Sequence, residues 1–378
     1  MIYIQTKKLP AFRQVILSHW NKRVPVGTEH NVIVNAGRPT LAQKLYLLLP
    51  ERARKPFFNG ITDSAHLSYL WRIKRVLPVL RPKIIVCYDS YKMGPLLRRR
   101  ITWPCRLVFS QHGLSYFLPP HEAARLYSLS SFDAVITLTG ASYRSNRAVI
   151  SAYEPLVVTI PNGIDTEKFR PAAPGEKDLV RQEFGLPENK MIVLFLSRLV
   201  PKKGAHAILH SWRKILTEIP DAYLWIVGGG HAGYERYLGN LITASGISSS
   251  VRLQGRVSPD VTARCYQASD IYLFPTLCVE GHSLSLLEAI SCGIPCISSH
   301  HETARELYSD DEVLFVEDPN VEDAFVGPVI RLLKDKTLRR KLGDNARRAA
   351  EQRFNQDKWL CRLREFYERQ LNLVKGRE

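Results

Sequence analysis

The stretch 270–299 constrains this chain most, because a short apolar strand, a polar loop, a short helix and a second apolar strand follow there without a break. Asp270-Ile-Tyr-Leu-Phe-Pro275 and Pro295-Cys-Ile-Ser-Ser299 supply the strands. Between them Leu284, Leu287, Ala289 and Ile290 give an apolar helical face, Gly293 supplies a left-handed stop and Pro295 prevents continuation. A strand–helix–strand unit of this kind belongs to a parallel sheet, whose carboxyl-end loops border a ligand crevice. The first amides of a helix that starts there attract an anion. Two carboxylates frame this helix, Glu280 in the loop before it and Glu288 about one turn inside it. Carboxylates repel phosphate and accept hydrogen bonds from hydroxyls, so the loop predicts a ligand carrying both phosphate and sugar hydroxyls. A plainer alternative is that Ser285-Leu-Leu-Glu288 forms a capping box and Glu288 only satisfies an amide at the helix start.

The same alternation recurs along the chain, and it predicts an α/β fold. Lys83-Ile-Ile-Val-Cys-Tyr-Asp89, Arg106-Leu-Val-Phe-Ser-Gln-His-Gly113 and Phe132-Asp-Ala-Val-Ile-Thr-Leu-Thr139 read as buried strands ending in polar loops. They place Asp89, His112 and Thr139 along one crevice. Further strands are expected at 1–5, 15–18 and 31–35, with helices at 40–49 and 64–80. In the second half Met191-Ile-Val-Leu-Phe-Leu-Ser-Arg198 is followed by Leu-Val-Pro-Lys-Lys-Gly204 and a helix from about residue 205. Arg198 and Lys203 thus stand on a strand-to-helix loop, where two cations suit a diphosphate or are merely solvated.

Ala222-Tyr-Leu-Trp-Ile-Val227 leads into Gly228-Gly-Gly-His-Ala-Gly233, which matches the dinucleotide fingerprint. The acidic residue expected about 20 positions further on is missing, since none lies between Glu235 and Asp260. A tight turn that needs glycines is the simpler reading. Between the halves, Pro161-Asn-Gly-Ile-Asp-Thr-Glu-Lys-Phe-Arg-Pro171 gathers turn formers and charge and reads as a hinge. A chain of 378 residues with 45% apolar residues supports two cores.

Charge is distributed unevenly. Residues 1–130 hold 21 Lys and Arg against 5 Asp and Glu, a difference of +16 out of a net +17. The cations concentrate at Arg52-Ala-Arg-Lys55, Arg72-Ile-Lys-Arg75 and Arg98-Arg-Arg100. Such a half is drawn to an anionic membrane surface, or is simply a solvated basic surface; no common nucleic-acid motif accompanies it, and no nucleic-acid partner is expected. No apolar run approaches a bilayer span and the opening residues lack the order of a signal peptide. A cytoplasmic protein, peripheral at the inner face of the membrane, is the expectation. Seven cysteines without a Cys-x-x-Cys pair predict free thiols.

The spacing Glu280-x7-Glu288, with Gly281 and the terminal Gly-Ile-Pro, resembles the donor-site motif of retaining glycosyltransferases of family 4, which have the GT-B fold. Ser-Arg-Leu-x-x-x-Lys-Gly resembles that family's phosphate-binding loop, and the strand ending His112-Gly113 is similar to one in its first domain. The resemblance covers about residues 83–365. It implies two Rossmann-like domains facing a cleft: 1–165 on the acceptor side, 166–355 binding a nucleoside-diphosphate sugar, and 356–378 as a helix packing back on the first, with Phe354, Trp359 and Phe366 as its packing face. The acceptor implied is a lipid-linked glycan or an oligosaccharide.

Residue by residue, the resemblance makes Glu280 the holder of donor-sugar hydroxyls, Arg198 and Lys203 ligands of the diphosphate, and His112 a contact of the donor sugar. A hydrogen-bonded structural His112 is the alternative. Gly228, Gly229, Arg252, Gly281, His282, Ser283, Leu284 and Ser285 would lie around the donor, and Glu288 would hold the ribose. The family commonly has Phe-Gly where this chain has His282-Ser283, and its amino-terminal double-Gly loop has no clear equivalent, Gly27-Thr-Glu29 coming nearest. No Asp-x-Asp pair is present, so transfer without a metal or other cofactor is expected. A glycosidase-like use of the two Glu residues is the rival mechanism, disfavoured by their placement on one loop and one helix. The alternative functions are a sugar-nucleotide epimerase or hydrolase of the same fold, and a non-catalytic protein that binds membrane or nucleic acid through its basic half.

Overall fold

The computed structural model describes residues 14–18, 31–35, 77–78, 81–88, 93–112, 129–144 and 156–375. The expected strand 1–5, the helix 40–49, Asp89, Gly27 and the basic clusters at 52–55 and 72–75 lie outside these residues, as does most of the expected helix 64–80. The chain divides into two compact units. One comprises Met1–Thr137, Tyr143–Ile160 and Leu360–Glu378, the other Leu138–Ser142 and Pro161–Trp359.

In the first unit, β1 (Gln14–Ser18) and β2 (Asn31–Asn35) form a parallel pair. A second sheet holds β3 (Ile84–Tyr88), β4 (Arg106–Ser110), β5 (Ala134–Thr137) and β6 (Leu156–Thr159), all parallel and in sequence order. Every residue of β4 and β5 is buried, as expected for strands covered on both faces. Asp133 stands at the entry to β5 and ties the sheet together. It accepts from the Leu107 amide at 2.7 Å and pairs with Arg98 at 2.7 Å and Arg106 at 3.5 Å. Arg98, one of the cations of the basic clusters, is therefore partly occupied inside the fold. Arg106 also donates to Gln370 Oε1 at 3.0 Å, which attaches the chain's last helical segment to this unit.

The second unit contains β7 (Met191–Leu196), β8 (Ala222–Val227), β9 (Val251–Gly255), β10 (Ile271–Phe274), β11 (Cys296–Ser299) and β12 (Val313–Val316). They form one parallel sheet in the order β12-β11-β10-β7-β8-β9. Alternate strand residues feed two cores. Ile192, Leu194, Trp225, Tyr272 and Phe274 face one, and Val193, Phe195, Leu224, Ile226, Ile271 and Leu273 face the other. The second core is closed by helices Ala205–Glu218, with Ile208, Trp212 and Ile215 at helical spacing, and Ala232–Ala244, through Leu238 and Ile242. Burying each such side chain contributes on the order of 2 kcal/mol.

Chain direction around the sheet reverses at β7. The connections run outward through β8 and β9, then return to lay β10 against β7's other edge, pairing Val193 with Ile271 and Leu194 with Tyr272. Loops that follow β7 and β10 therefore meet at a topological switch point, where open α/β sheets bind ligands.

Candidate active site

The loop after β7 runs from Ser197 through a single 3-10 turn, Pro201–Lys203, to Gly204. Three glycines let its neighbours close on it. A Cβ on Gly204 would lie 1.9 Å from the Pro275 carbonyl oxygen, one on Gly228 1.8 Å from that of Ser197, and one on Gly230 1.8 Å from that of Leu199. No side chain fits in such gaps, so the loop is held between the segments that follow β8 and β10. The Gly228–Gly230 segment thus lets the β7 loop pack directly on the backbone that follows β8. The Gly230 amide donates to Glu235 Oε1 at 2.6 Å, so a carboxylate already fills the place a phosphate would take in a dinucleotide site.

Held in this way, the Lys203 side chain is 9% exposed and its Nζ reaches Glu280 Oε1 at 2.5 Å, from 77 residues away. The same oxygen accepts from Thr276 Oγ1 at 3.1 Å and from Cys278 Sγ at 3.2 Å. Thr303 Oγ1 fixes the Glu280 main chain by donating to its carbonyl at 2.7 Å. Burial alone would raise the Glu280 carboxyl, but the charge and hydrogen bond of Lys203, with the bonds from Cys278 and Thr276, outweigh it and hold the group below its ordinary value. Glu280 is therefore a carboxylate with one oxygen crowded by donors. Its Oε2 has no partner among the described residues. Arg198, on the same loop as Lys203, is exposed, and its side chain likewise makes no hydrogen bond or ion pair among the described residues.

Helix α1 (Leu284–Ser291) begins three residues beyond Gly281, with Ser283 at its N-cap. No side chain caps it, and the hydroxyls of Ser283 and Ser285 lie 3.2 Å from each other. The amides of Leu284, Ser285 and Leu286 have no carbonyl to bond within the helix, so this end retains donors for an anion. Gly293 ends the helix at φ +68°, as expected. The capping-box alternative is not what forms. Ser285 lies inside the helix, and Glu288 accepts at 2.9 Å from the hydroxyl of Tyr266. Burial pushes the Glu288 carboxyl up to about 7, only partly offset by Tyr266 and by Lys168.

Two of the donor-site expectations change character. His282 is expected around the donor, but its ring is buried at 5% exposure and turned inward. Its Nδ1 accepts from the Asn162 amide at 3.0 Å, leaving Nε2 to donate to the Tyr308 hydroxyl at 2.7 Å. Asn162 Nδ2 returns a bond to the His282 carbonyl at 2.9 Å, and Phe354 packs 5.1 Å from the ring. Burial pushes the imidazolium down to about 3, so His282 is a neutral strut. Arg252 donates to the carbonyls of Phe184 and Gly185 at 2.6 and 3.0 Å, closing the end of helix Glu176–Phe184. Both bonds come from Nη1, which ties this edge of the guanidinium to the helix end. His112, in the first unit, has its Nε2 3.0 Å from Ser110 Oγ and its ring 5.4 Å from that of Tyr88.

Thr276, Cys278 and Thr303 were not anticipated. The available signal was spacing, because positions 276, 278 and 280 alternate along one loop, the pattern that puts side chains on a common side.

Comparison with known proteins agrees with this architecture. The family model described as "Glycosyl transferases group 1" matches residues 176–349, and that described as "Glycosyltransferase Family 4" matches residues 25–168. The chain belongs to glycosyltransferase family 4. It is 30% identical over 256 residues to a GDP-mannose-dependent monoacylated alpha-(1-6)-phosphatidylinositol monomannoside mannosyltransferase of Corynebacterium glutamicum, with 65% of each chain covered. It is 28% identical to the UDP-Gal:alpha-D-GlcNAc-diphosphoundecaprenol alpha-1,3-galactosyltransferase of Escherichia coli, covering 73% of this chain and 72% of that one. The crystal structure of Anabaena HepE in complex with UDP matches with a TM-score of 0.71 at 20% identity, covering 79% and 82% of the two chains. The family 4 glycosyltransferase described above accordingly has the GT-B fold, each unit carrying a parallel α/β sheet. Among its described residues no helix is long and apolar enough to cross a membrane.

Proposed function

We propose that this glycosyltransferase moves a sugar from a nucleoside diphosphate to a lipid-linked glycan acceptor, with retention of anomeric configuration and without a metal ion. The observation that carries this reading is the meeting of Lys203 and Glu280 at the switch point, beside the uncapped amides of α1. A diphosphate satisfies the amides of Leu284, Ser285 and Leu286 together with Arg198 and the two N–H groups of Lys203 that Glu280 leaves free. Glu280 Oε2 accepts from a donor-sugar hydroxyl, and Glu288 accepts from the ribose. As the sugar–phosphate bond breaks through an oxocarbenium-like state, negative charge grows on the departing phosphate. Preorganised donors aimed at such charge usually supply the largest catalytic contribution. Lys203, held by Glu280, and the neighbouring Arg198 do the work of a divalent ion at this point.

The acceptor class follows the relatives, whose names specify a phosphatidylinositol mannoside and a diphosphoundecaprenol-linked sugar. Assembly of a cell-surface glycan suits such an acceptor. Basic residues of the first unit, Arg98 partly excepted, suit an anionic membrane surface. Thermal unfolding with UDP, GDP, ADP and their common sugars, with EDTA or with a divalent ion, tests the donor site. One nucleotide raising the midpoint equally in both conditions supports the reading. No shift with any of them overturns it, and a shift seen only with the divalent ion overturns metal independence. Retention is checked by NMR of the product's anomeric proton.

A further inference from the structure

We infer that Thr276 and Cys278 are positioning residues that fix which oxygen of Glu280 meets the donor sugar; this rests on the donor-site reading above. Glu280 has two oxygens, and every side-chain donor that reaches it among the described residues converges on Oε1: Lys203 at 2.5 Å, Thr276 at 3.1 Å and Cys278 at 3.2 Å. The result is a carboxylate locked in rotation about its last bond, with Oε2 presented alone. Lys203 is an unsteady member of this set, because a bound diphosphate competes for its charge. Thr276 and Cys278 are neutral and have no attraction for phosphate as cations do. They continue to hold Oε1 when the lysine shares its protons with the donor.

Their own placement is secured from behind. Thr276 is fully buried, and its hydroxyl also lies 3.3 Å from the carbonyls of Lys202 and Cys278. Among the described residues the carboxylate is both the nearest and the only charged acceptor for its one proton. The thiol of Cys278 lies 3.5 Å from the Thr276 hydroxyl but closer to Glu280, so its proton too is drawn to the carboxylate. A charge-assisted bond contributes more than a neutral one, which makes a weak thiol donor effective here.

A nucleoside diphosphate lacks the sugar that Oε2 would meet, so the readout is the ratio of affinities for a nucleotide sugar and its free diphosphate. Calorimetric titration with GDP-mannose against GDP, and with UDP-glucose against UDP, is performed on wild type, Thr276→Val, Thr276→Ser, Cys278→Ala, Cys278→Ser and Glu280→Gln. Thr276→Val and Cys278→Ala are expected to lower the nucleotide-sugar affinity several-fold to about tenfold, leaving the free diphosphate unaffected. Thr276→Ser and Cys278→Ser, which keep a donor, restore the ratio. A loss shared equally by nucleotide sugar and free diphosphate means only a disturbed loop and overturns the inference. So does an unchanged ratio in Thr276→Val and Cys278→Ala while Glu280→Gln changes it, and the donor-site reading then survives. If Glu280→Gln also leaves the ratio unchanged, or if neither these pairs nor ADP-glucose and ADP bind to the wild type, the donor-site reading fails and this inference fails with it.

Discussion

Glu280 and Glu288 lie at either side of the start of one helix, yet the protein treats their carboxyl groups in opposite ways. Around Glu280, a buried lysine and two neutral donors overcome desolvation and keep the carboxyl charged. Around Glu288 burial prevails, because its close partner is the uncharged Tyr266 hydroxyl, and the carboxyl rises to about 7. Residue type and spacing assign both to hydroxyl recognition, but only one is a permanent anion. The difference lies in what the neighbouring strand delivers. β7 brings a cation to the loop, while the helix Thr262–Gln267 offers Glu288 the hydroxyl of Tyr266.

The sharpest way to break this contrast is to remove the charge from each in turn. Glu280→Gln keeps the shape but takes the counter-charge from Lys203 and weakens the acceptor at Oε2. Turnover is expected to fall on the order of a hundredfold, with free-diphosphate affinity largely retained. Glu288→Gln removes a charge that is only half present at neutral pH, so its turnover should fall much less. Steady-state assays on both variants, with whichever donor stabilises the wild type, decide the matter; equal losses would erase the distinction between the two carboxylates.

The two cations of the β7 loop sharpen the same contrast at smaller amplitude. Lys203→Ala strands Glu280 half-buried without its ion partner, which should destabilise the fold by about 2 kcal/mol and move the acid limb of the activity profile to higher pH. Arg198 is exposed and bonds to nothing among the described residues, so Arg198→Ala should leave the melting temperature in place. Its effect should be a loss of about tenfold in affinity for the free diphosphate, consistent with one lost charge-assisted pair. Undiminished affinity would remove Arg198 from the phosphate site.

Much of this was legible because the second unit's signals are local. Strands such as Met191–Leu196 and Ala222–Val227 are continuous apolar runs, and Gly293 declares the end of its helix by needing φ > 0. Strand order is not local. Nothing near Lys203 says that β10 returns to the edge of β7, so the sequence offered the lysine and Glu280 as two ligands of one donor but not as an ion pair. The inward turn of His282 is illegible in the sequence for a related reason. A histidine before a helix start reads as a ligand-facing group, and only Asn162 and Tyr308, distant in the chain, turn it inward. Arg252 reads as a nucleotide contact, and only the fold shows that its Nη1 also bonds the carbonyls of Phe184 and Gly185.

The smallest expected effect tests the Glu288 side of the contrast without any ligand. A carboxyl whose folded pKa is raised binds more protons in the folded state than in the unfolded one at pH between the two values. Stability contributed by that proton is complete below the unfolded value near 4.5 and is lost as pH climbs through about 7. Gln at 288 cannot ionise, and its amide oxygen still accepts from Tyr266. Glu288→Gln should therefore match the wild type in melting temperature near pH 4.5 and exceed it by a few degrees at pH 8. For Glu280, whose folded value is depressed, the sign reverses. Its contribution is present above the unfolded value and is lost only as pH falls through the folded one, so Glu280→Gln should lower the melting temperature at pH 8 and narrow the gap at acid pH. Melting curves of the two variants across this range should thus diverge in opposite directions from the wild type, and parallel displacement would mean that burial, not the Lys203 pairing, governs both carboxyls.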